Sequence, residues 1–158
     1  MLEFDIKIGA QDLYDYMMRH NYSAPSGILG GTVGALVILV AVSQKKWAFL
    51  VLGAVLLLYL PWTLFLKSRR QALLNPAFKK PLHYQMDDEG VTVSQGETSQ
   101  KQKWDSMVKA VSTSRSIILY TSKVNASIFP KAQLGEKKDA LVEMISTHMP
   151  ASKVKIRA

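Results

Sequence analysis

Two stretches, SGILGGTVGALVILVAVS (residues 26–43) and WAFLVLGAVLLLYLPWTLFL (residues 47–66), decide how this chain folds. Neither contains a charged side chain, and only Lys45 and Lys46 interrupt the run between them. A hydrocarbon core roughly 30 Å thick needs about 20 residues of helix, with about 17 as the lower limit. The second stretch meets that length outright. The first meets it narrowly and carries four glycines. A chain of 158 residues has too little left over to surround two helices that are apolar on every side, which argues against a soluble fold. A two-helix transmembrane hairpin over residues 26–66 is therefore expected. The link Ser43-Gln44-Lys45-Lys46 is short enough that the helices must run antiparallel, leaving both ends of the chain on one side.

Flanking charge gives the orientation. Arg19 precedes the hairpin and Lys67, Arg69, Arg70, Lys79 and Lys80 follow it, against two lysines in the tight loop. Positively charged flanks stay on the cytoplasmic side, so both termini are expected there. Lys67, Arg69 and Arg70 would hold the second helix at the headgroups, and Trp47 would sit at the opposite interface. Pro61 falls inside the second helix, where membrane helices tolerate it. The hairpin is not a signal peptide, because 25 residues with four acidic side chains precede the first apolar run. Gly27 and Gly31, and likewise Gly30 and Gly34, lie four apart, a spacing that lets helix backbones approach closely. That face serves either a homodimer or packing against the second helix of the same hairpin, near Gly53.

Outward from the hairpin the chain divides into residues 1–25 and 67–158. The first part holds two basic and four acidic side chains, the second 16 basic and 8 acidic. The net charge of +8 thus gathers after the apolar segment, and a basic domain beside an anionic leaflet accounts for it. The basic residues are scattered and no nucleic-acid motif accompanies them, so nucleic-acid binding is not expected. There are no cysteines, which removes disulfides, thiol nucleophiles and thiolate metal sites.

In residues 1–25, Leu2, Phe4, Ile6 and Ile8 alternate with Glu3, Asp5 and Lys7, a half-buried strand broken by Gly9. Gln11 to His20 reads as an amphipathic helix with Leu13, Tyr14, Met17 and Met18 on its apolar face. A lone strand is not stable in water, so it should pair with the C-terminal domain. That domain reads as short strands at Leu82–Met86, around Val91 and Val93, at Thr98–Lys103, Val108–Val111 and Ser116–Tyr120, and through Val124, Ala126 and Ile128. Turns fall at Asp87–Gly90, where the glycine can take positive φ, and at Gln95-Gly96-Glu97. Trp104–Met107 makes one helical turn. Glu136–Met149 is a helix with Leu141, Val142, Ile145 and Met149 at helical spacing and Pro150 as its stop. The fold class is α+β with the hairpin: a small antiparallel sheet of about six or seven strands closed by a C-terminal helix, joined by the N-terminal strand and helix. The last nine residues are polar and basic and should fray.

Several phrases carry a family resemblance: Tyr84-x-x-Asp87-x-x-Gly90-Val91-x-Val93, Trp104 with Val108, Ile117-Ile118-Leu119-Tyr120, and Ile128-Phe129-Pro130-Lys131. With the strand, helix and hairpin ahead of them, they resemble the YcxB-like family of bacterial membrane proteins over nearly the whole chain. The resemblance implies a pleckstrin-homology-like C-terminal domain, a bacterial inner (cell) membrane location with multiple spans, and no established biochemical role. Family members commonly carry a basic residue directly after the Pro-Lys pair, and here that position is Ala132. Pleckstrin-like binders of phosphorylated headgroups place Lys and Arg in the first hairpin loop, whereas this chain has Asp87-Asp88-Glu89, which repels phosphate.

Catalysis finds little footing. His20, His83 and His148 lack metal-ligand spacing, and no P-loop or nucleophile elbow occurs. Ser43-x-x-Lys46 and Ser106-x-x-Lys109 match a short hydrolase pattern without its companion motifs. Asn21-Tyr22-Ser23 and Asn125-Ala126-Ser127 have the form of glycosylation sequons but carry no meaning in a cytoplasmic bacterial segment. No catalytic, cofactor-binding or metal residue is assigned, and no cofactor or small-molecule substrate is expected. Trp104 reads as core or edge packing or else a partner anchor, and Lys131 as a solvated strand end or else a membrane or partner contact, so these two are the candidate partner contacts. The expected partners are the lipid bilayer and either another protein or a second copy. The expected function is a non-catalytic, membrane-anchored interaction module facing the cytoplasm. The alternative is a lipid-surface sensor, or a small subunit of a transporter or envelope complex.

Overall fold

The computed structural model describes residues 1–156. Strand β1 (Leu2–Ile6) leads into helix α1 (Ala10–Tyr22), the two long apolar helices α2 (Pro25–Ser43) and α3 (Trp47–Leu74), and then the strands β2 (Leu82–Met86), β3 (Gly90–Gln95) and β4 (Thr98–Lys103). A single 3-10 turn at Trp104–Ser106 is followed by β5 (Lys109–Ser112), β6 (Ser116–Tyr120) and β7 (Ala126–Pro130). Two helices, α4 (Lys131–Leu134) and α5 (Lys137–His148), and a short strand β8 (Val154–Lys155) end the described chain.

The expected pairing of the N-terminal strand is present. Strand β1 runs antiparallel to β2, with Phe4 opposite Tyr84 and Ile6 opposite Leu82. Residues before and after the two long helices thus form one sheet, in the order β1-β2-β3-β4. Strand β4 pairs along its whole length with β3, around a turn where Gly96 takes a φ of +61°.

The expectation of one antiparallel sheet of six or seven strands does not hold. The strands divide into two sheets of four, the second in the order β7-β6-β5-β8. The break falls at the Trp104–Ser106 turn, where the chain passes from one sheet to the other. One pairing, β5 with β8, is parallel. The fraying assigned to the last nine residues is likewise corrected, except at residues 157 and 158, which lie outside the described chain. Pro150 leads into a 3-10 turn at Ala151–Lys153, and Val154 and Ile156 pack against the core. Those two apolar side chains outweigh the basic look of the segment, because burying each stabilises by about 1.5–3 kcal/mol when complete.

One core joins both sheets and α5. Phe4, Tyr84 and Phe129 form a ring cluster with centroids 4.9–5.7 Å apart, and Leu141 and Ile145 of α5, with Met149 just past its end, are buried in the same core. Val124 is not part of β7: it stands in the preceding turn, 70% exposed.

The apolar helices keep most of their side chains outward, as at Leu39, Leu58 and Trp62. Both are long and apolar enough to cross a membrane. Their contact is at two glycines. A Cβ on Gly53 would stand 2.6 Å from Ile38 and 3.1 Å from the Gly34 carbonyl oxygen, and one on Gly34 would stand 2.8 Å from Leu57. Helix α3 runs eight residues past the expected end at Leu66. The continuation KSRRQALL is made of good helix formers. Ser68, 1% exposed, and Leu64 turn inward, and Tyr14 of α1 meets Phe65 edge-on at 6.0 Å. Pro76 follows the end of the helix and disfavours its continuation.

Candidate functional site

A cavity of about 540 Å³ lies where α1, the end of α3 and both sheets meet. Its apolar floor includes Ile8, Leu13, Met17, Leu82 and Ile128. Tyr16 and His20 reach it from one face of α1, being four apart, and Asn21 joins them from the last turn of that helix. Lys67 and Gln71 reach it from α3 for the same reason, and Asn125 comes from the turn before β7. The Tyr16 hydroxyl donates to the Val124 carbonyl at 3.0 Å, which holds that turn over α1. His20 stacks on Tyr16 at 5.7 Å and on Tyr120 at 6.1 Å, and the two tyrosine rings meet tilted at 6.0 Å. Burial raises the Tyr16 phenol above its ordinary value. Burial, and then the neighbouring Tyr16, push Tyr120 up to about 12, against an opposing pull from Arg19. The cavity lining includes no acidic side chain, and the Lys67 ammonium has no ion-pair or hydrogen-bond partner among the described residues.

The second polar corner is the turn after β2. Asp87 Oδ1 accepts from the backbone N–H groups of Glu89 (2.9 Å) and Gly90 (2.8 Å), while Lys101 reaches Asp87 Oδ2 at 3.1 Å and Glu89 Oε2 at 2.6 Å. The Gly90 N–H and then Lys101 hold the Asp87 carboxyl below the usual carboxylate range, and Glu89 and then Asp87 raise Lys101. Gly90 does not take positive φ. It is glycine because a Cβ there would overlap the Gln102 carbonyl of the neighbouring strand. The Asp87 carbonyl accepts from Trp104 Nε1–H at 2.8 Å, and Trp104 stacks on His148 at 5.2 Å, 12° from parallel. Asp87, Gly90 and Trp104, three residues of the family resemblance, thus form one physical unit of turn, glycine contact and indole.

Residues 87–145 match the YcxB-like protein family.

The YcxB-like segment takes in β3 to β7 and most of α5; β1, β2 and the three helices between them lie outside the match. No curated protein and no solved structure matches the chain.

The candidate residues read from sequence take these places. Trp104 is turned inward at 5% exposure, and the Lys131 ammonium donates to the Thr113 carbonyl at 2.8 Å. Trp104 thus packs as one of the two sequence readings had it, and the Lys131 side chain makes its contact within the same matched segment. Trp47, 78% exposed, opens α3, and Lys67, Arg69 and Arg70 project from its last turns, with Arg69 over the Phe65 ring at 5.2 Å. The four glycines of α2 do not act as one stripe. Gly34 faces α3, Gly27 is tucked against the end of α1, and a Cβ on Gly30 or Gly31 would meet nothing within 4 Å. The cavity residues Tyr16, His20, Gln71 and Asn125 were missed. They lie far apart along the chain, and no local spacing announces them. Among the described residues no group of three or more potential ligands could hold a metal ion.

Proposed function

We propose that this YcxB-like chain is a two-span inner-membrane protein with both ends in the cytoplasm. It serves there as a non-catalytic interaction module held against the bilayer surface. The observation that supports this most is the pairing of β1 with β2 across the helical hairpin. A strand made before the hairpin and one made after it share a sheet, so the hairpin is an excursion from a single folded unit. Helix α2 spans about 28 Å and the uncharged part of α3 about 30 Å, at about 1.5 Å per residue, close to the thickness of a hydrocarbon core. Their outward apolar side chains suit lipid. The six basic residues flanking the hairpin outnumber the two in its loop, which favours the cytoplasm for the folded unit.

The domain is pleckstrin-homology-like in this reading. Support comes from two four-stranded sheets sharing a core with a C-terminal helix. The acidic turn at Asp87–Glu89 is occupied by Lys101 and backbone N–H groups, so it is not where an anion binds.

Two measurements test the proposal. The protein should stay in the membrane pellet through alkaline extraction, and a phosphatase reporter that works only outside the inner membrane should be inactive when fused after Ala158. Release into the supernatant, or an active reporter, overturns the topology. Affinity capture from detergent-solubilised membranes should return a partner; capture that never rises above background overturns the interaction role.

A further inference from the structure

We infer that the cavity at the junction of α1, α3 and the sheets, together with a groove beside it, binds one anionic phospholipid. The inference rests on the membrane placement proposed above and adds a ligand class to it. Three observations converge. Among the described residues Lys67 is the one Lys, Arg, Asp or Glu in the cavity wall, it has no ion-pair or hydrogen-bond partner, and no acidic side chain opposes it. Polar amide groups at Gln71 and Asn125 stand around it above an apolar floor. Lys67 is also the first charged residue after the apolar run of α3, so the opening lies where headgroups begin.

The groove supplies the place for an acyl chain. A cleft of about 400 Å³ between α2 and α3 is lined by Leu29, Gly30, Gly31, Leu56 and Leu60 among others. Leu56, Leu60, Lys67 and Gln71 recur at spacings of four, seven and four, so all four lie on one face of α3. Leu60 and Lys67 stand about 10 Å apart along the helix axis, within the length of one lipid. The two glycines keep the groove open, since a side chain on either would stand in unoccupied space. The occupant that fits is a phosphodiester at Lys67 with a hydrocarbon chain along Gly30 and Gly31. A free phosphate would use the first part and not the second.

The full chain, taken from vesicles of equal phosphatidylglycerol and phosphatidylcholine into neutral detergent, is weighed by native mass spectrometry. One phosphatidylglycerol should be retained per protein, with a preference over phosphatidylcholine of about tenfold or more, as expected for a charge-assisted hydrogen bond. Lys67→Glu should erase the preference, and Lys79→Glu, the same charge change away from the cavity, should leave it. Gly31→Leu, with Gly30→Leu as the second groove-filling variant, should lower retention of both lipids. Recovery in the vesicle fraction is recorded for every variant, so loss of the membrane anchor is distinguished from loss of the lipid site. Equal retention of the two lipids by the unaltered chain overturns the inference, as does an equal effect of Lys79→Glu. Displacement by millimolar inorganic phosphate with no effect of either glycine variant would make the cavity a free-anion site and overturn the lipid assignment.

Discussion

Replacing Gly90 by alanine tests the closest backbone approach in the domain. The added Cβ would overlap the Gln102 carbonyl oxygen and stand 2.9 Å from its carbon and 3.0 Å from Lys103 Cα, all backbone atoms that cannot rotate away. Relief requires β3 and β4 to part by half an ångström or more. The bonds at risk are Asp87 N–H to the Gly90 carbonyl at 3.1 Å and Trp104 N–H to the Glu89 carbonyl at 3.4 Å. Two such bonds are worth about 1 kcal/mol each, and overpacking adds about 1–3 kcal/mol. The stiffer unfolded chain returns about 0.4–1 kcal/mol. The net expectation is a loss of about 2–4 kcal/mol. Gly96→Ala is the control: its φ of +61° costs about 1 kcal/mol in a left-handed backbone, with no neighbour to strike. The assay is urea unfolding in neutral detergent, read by fluorescence in a Trp47→Phe, Trp62→Phe background so that Trp104 alone reports. If Gly90→Ala loses no more stability than Gly96→Ala, strand proximity is not the reason for this glycine.

Phe129→Ala, which removes one of three clustered rings, should cost about 3–5 kcal/mol in the same unfolding assay. Gly53→Leu should loosen the helical hairpin, seen as faster proteolysis of the Ser43–Lys46 loop, while Gly30→Leu should not, because Gly53 meets the opposite helix and a Cβ on Gly30 meets nothing within 4 Å. The Asp87 carboxyl is held below its ordinary value in the folded chain, so its contribution is present above the usual carboxylate range and lost as pH falls through the lower folded value. Urea midpoints of the unaltered chain and Asp87→Asn should therefore differ at neutral pH and converge in acid.

How far the sequence could be read depended on the range of the interactions. Residues 82–86, 98–103 and 116–120 declared themselves as strands because alternation and turn residues are local, and the structure has all three with those bounds. The N-terminal strand was legible in Phe4, Ile6 and Ile8, whose partners had to be elsewhere. The division into two sheets was not legible, because Trp104–Ser106 reads as a single helical turn whether or not the strands around it pair with each other. Helix α3 was cut short at Leu66 because the reading followed hydropathy, whereas α1 packing on Ser68 carries the helix on to Leu74. Which of two readings held for Trp104, packing or a partner anchor, could not be decided from sequence because exposure is a property of the folded chain. For the same reason the cavity could not be read at all: Tyr16, Lys67 and Asn125 share it only once three separate elements have met.

The register of β1 against β2 also governs the order of events during synthesis. Ile6 leaves the ribosome first, yet its neighbour Leu82 is made only after both apolar helices. At synthesis rates of about 5–20 residues per second, the wait is on the order of ten seconds. Throughout it, Phe4 and Ile6 are an apolar edge without its partner strand. In the two-span topology proposed above, the first strand must be retained rather than exported, since a translocated β1 could never reach its place. Insertion in that topology is coupled to completion of the sheet, and a nascent chain inserted the wrong way round would present an unfinished β2 edge to quality-control proteases.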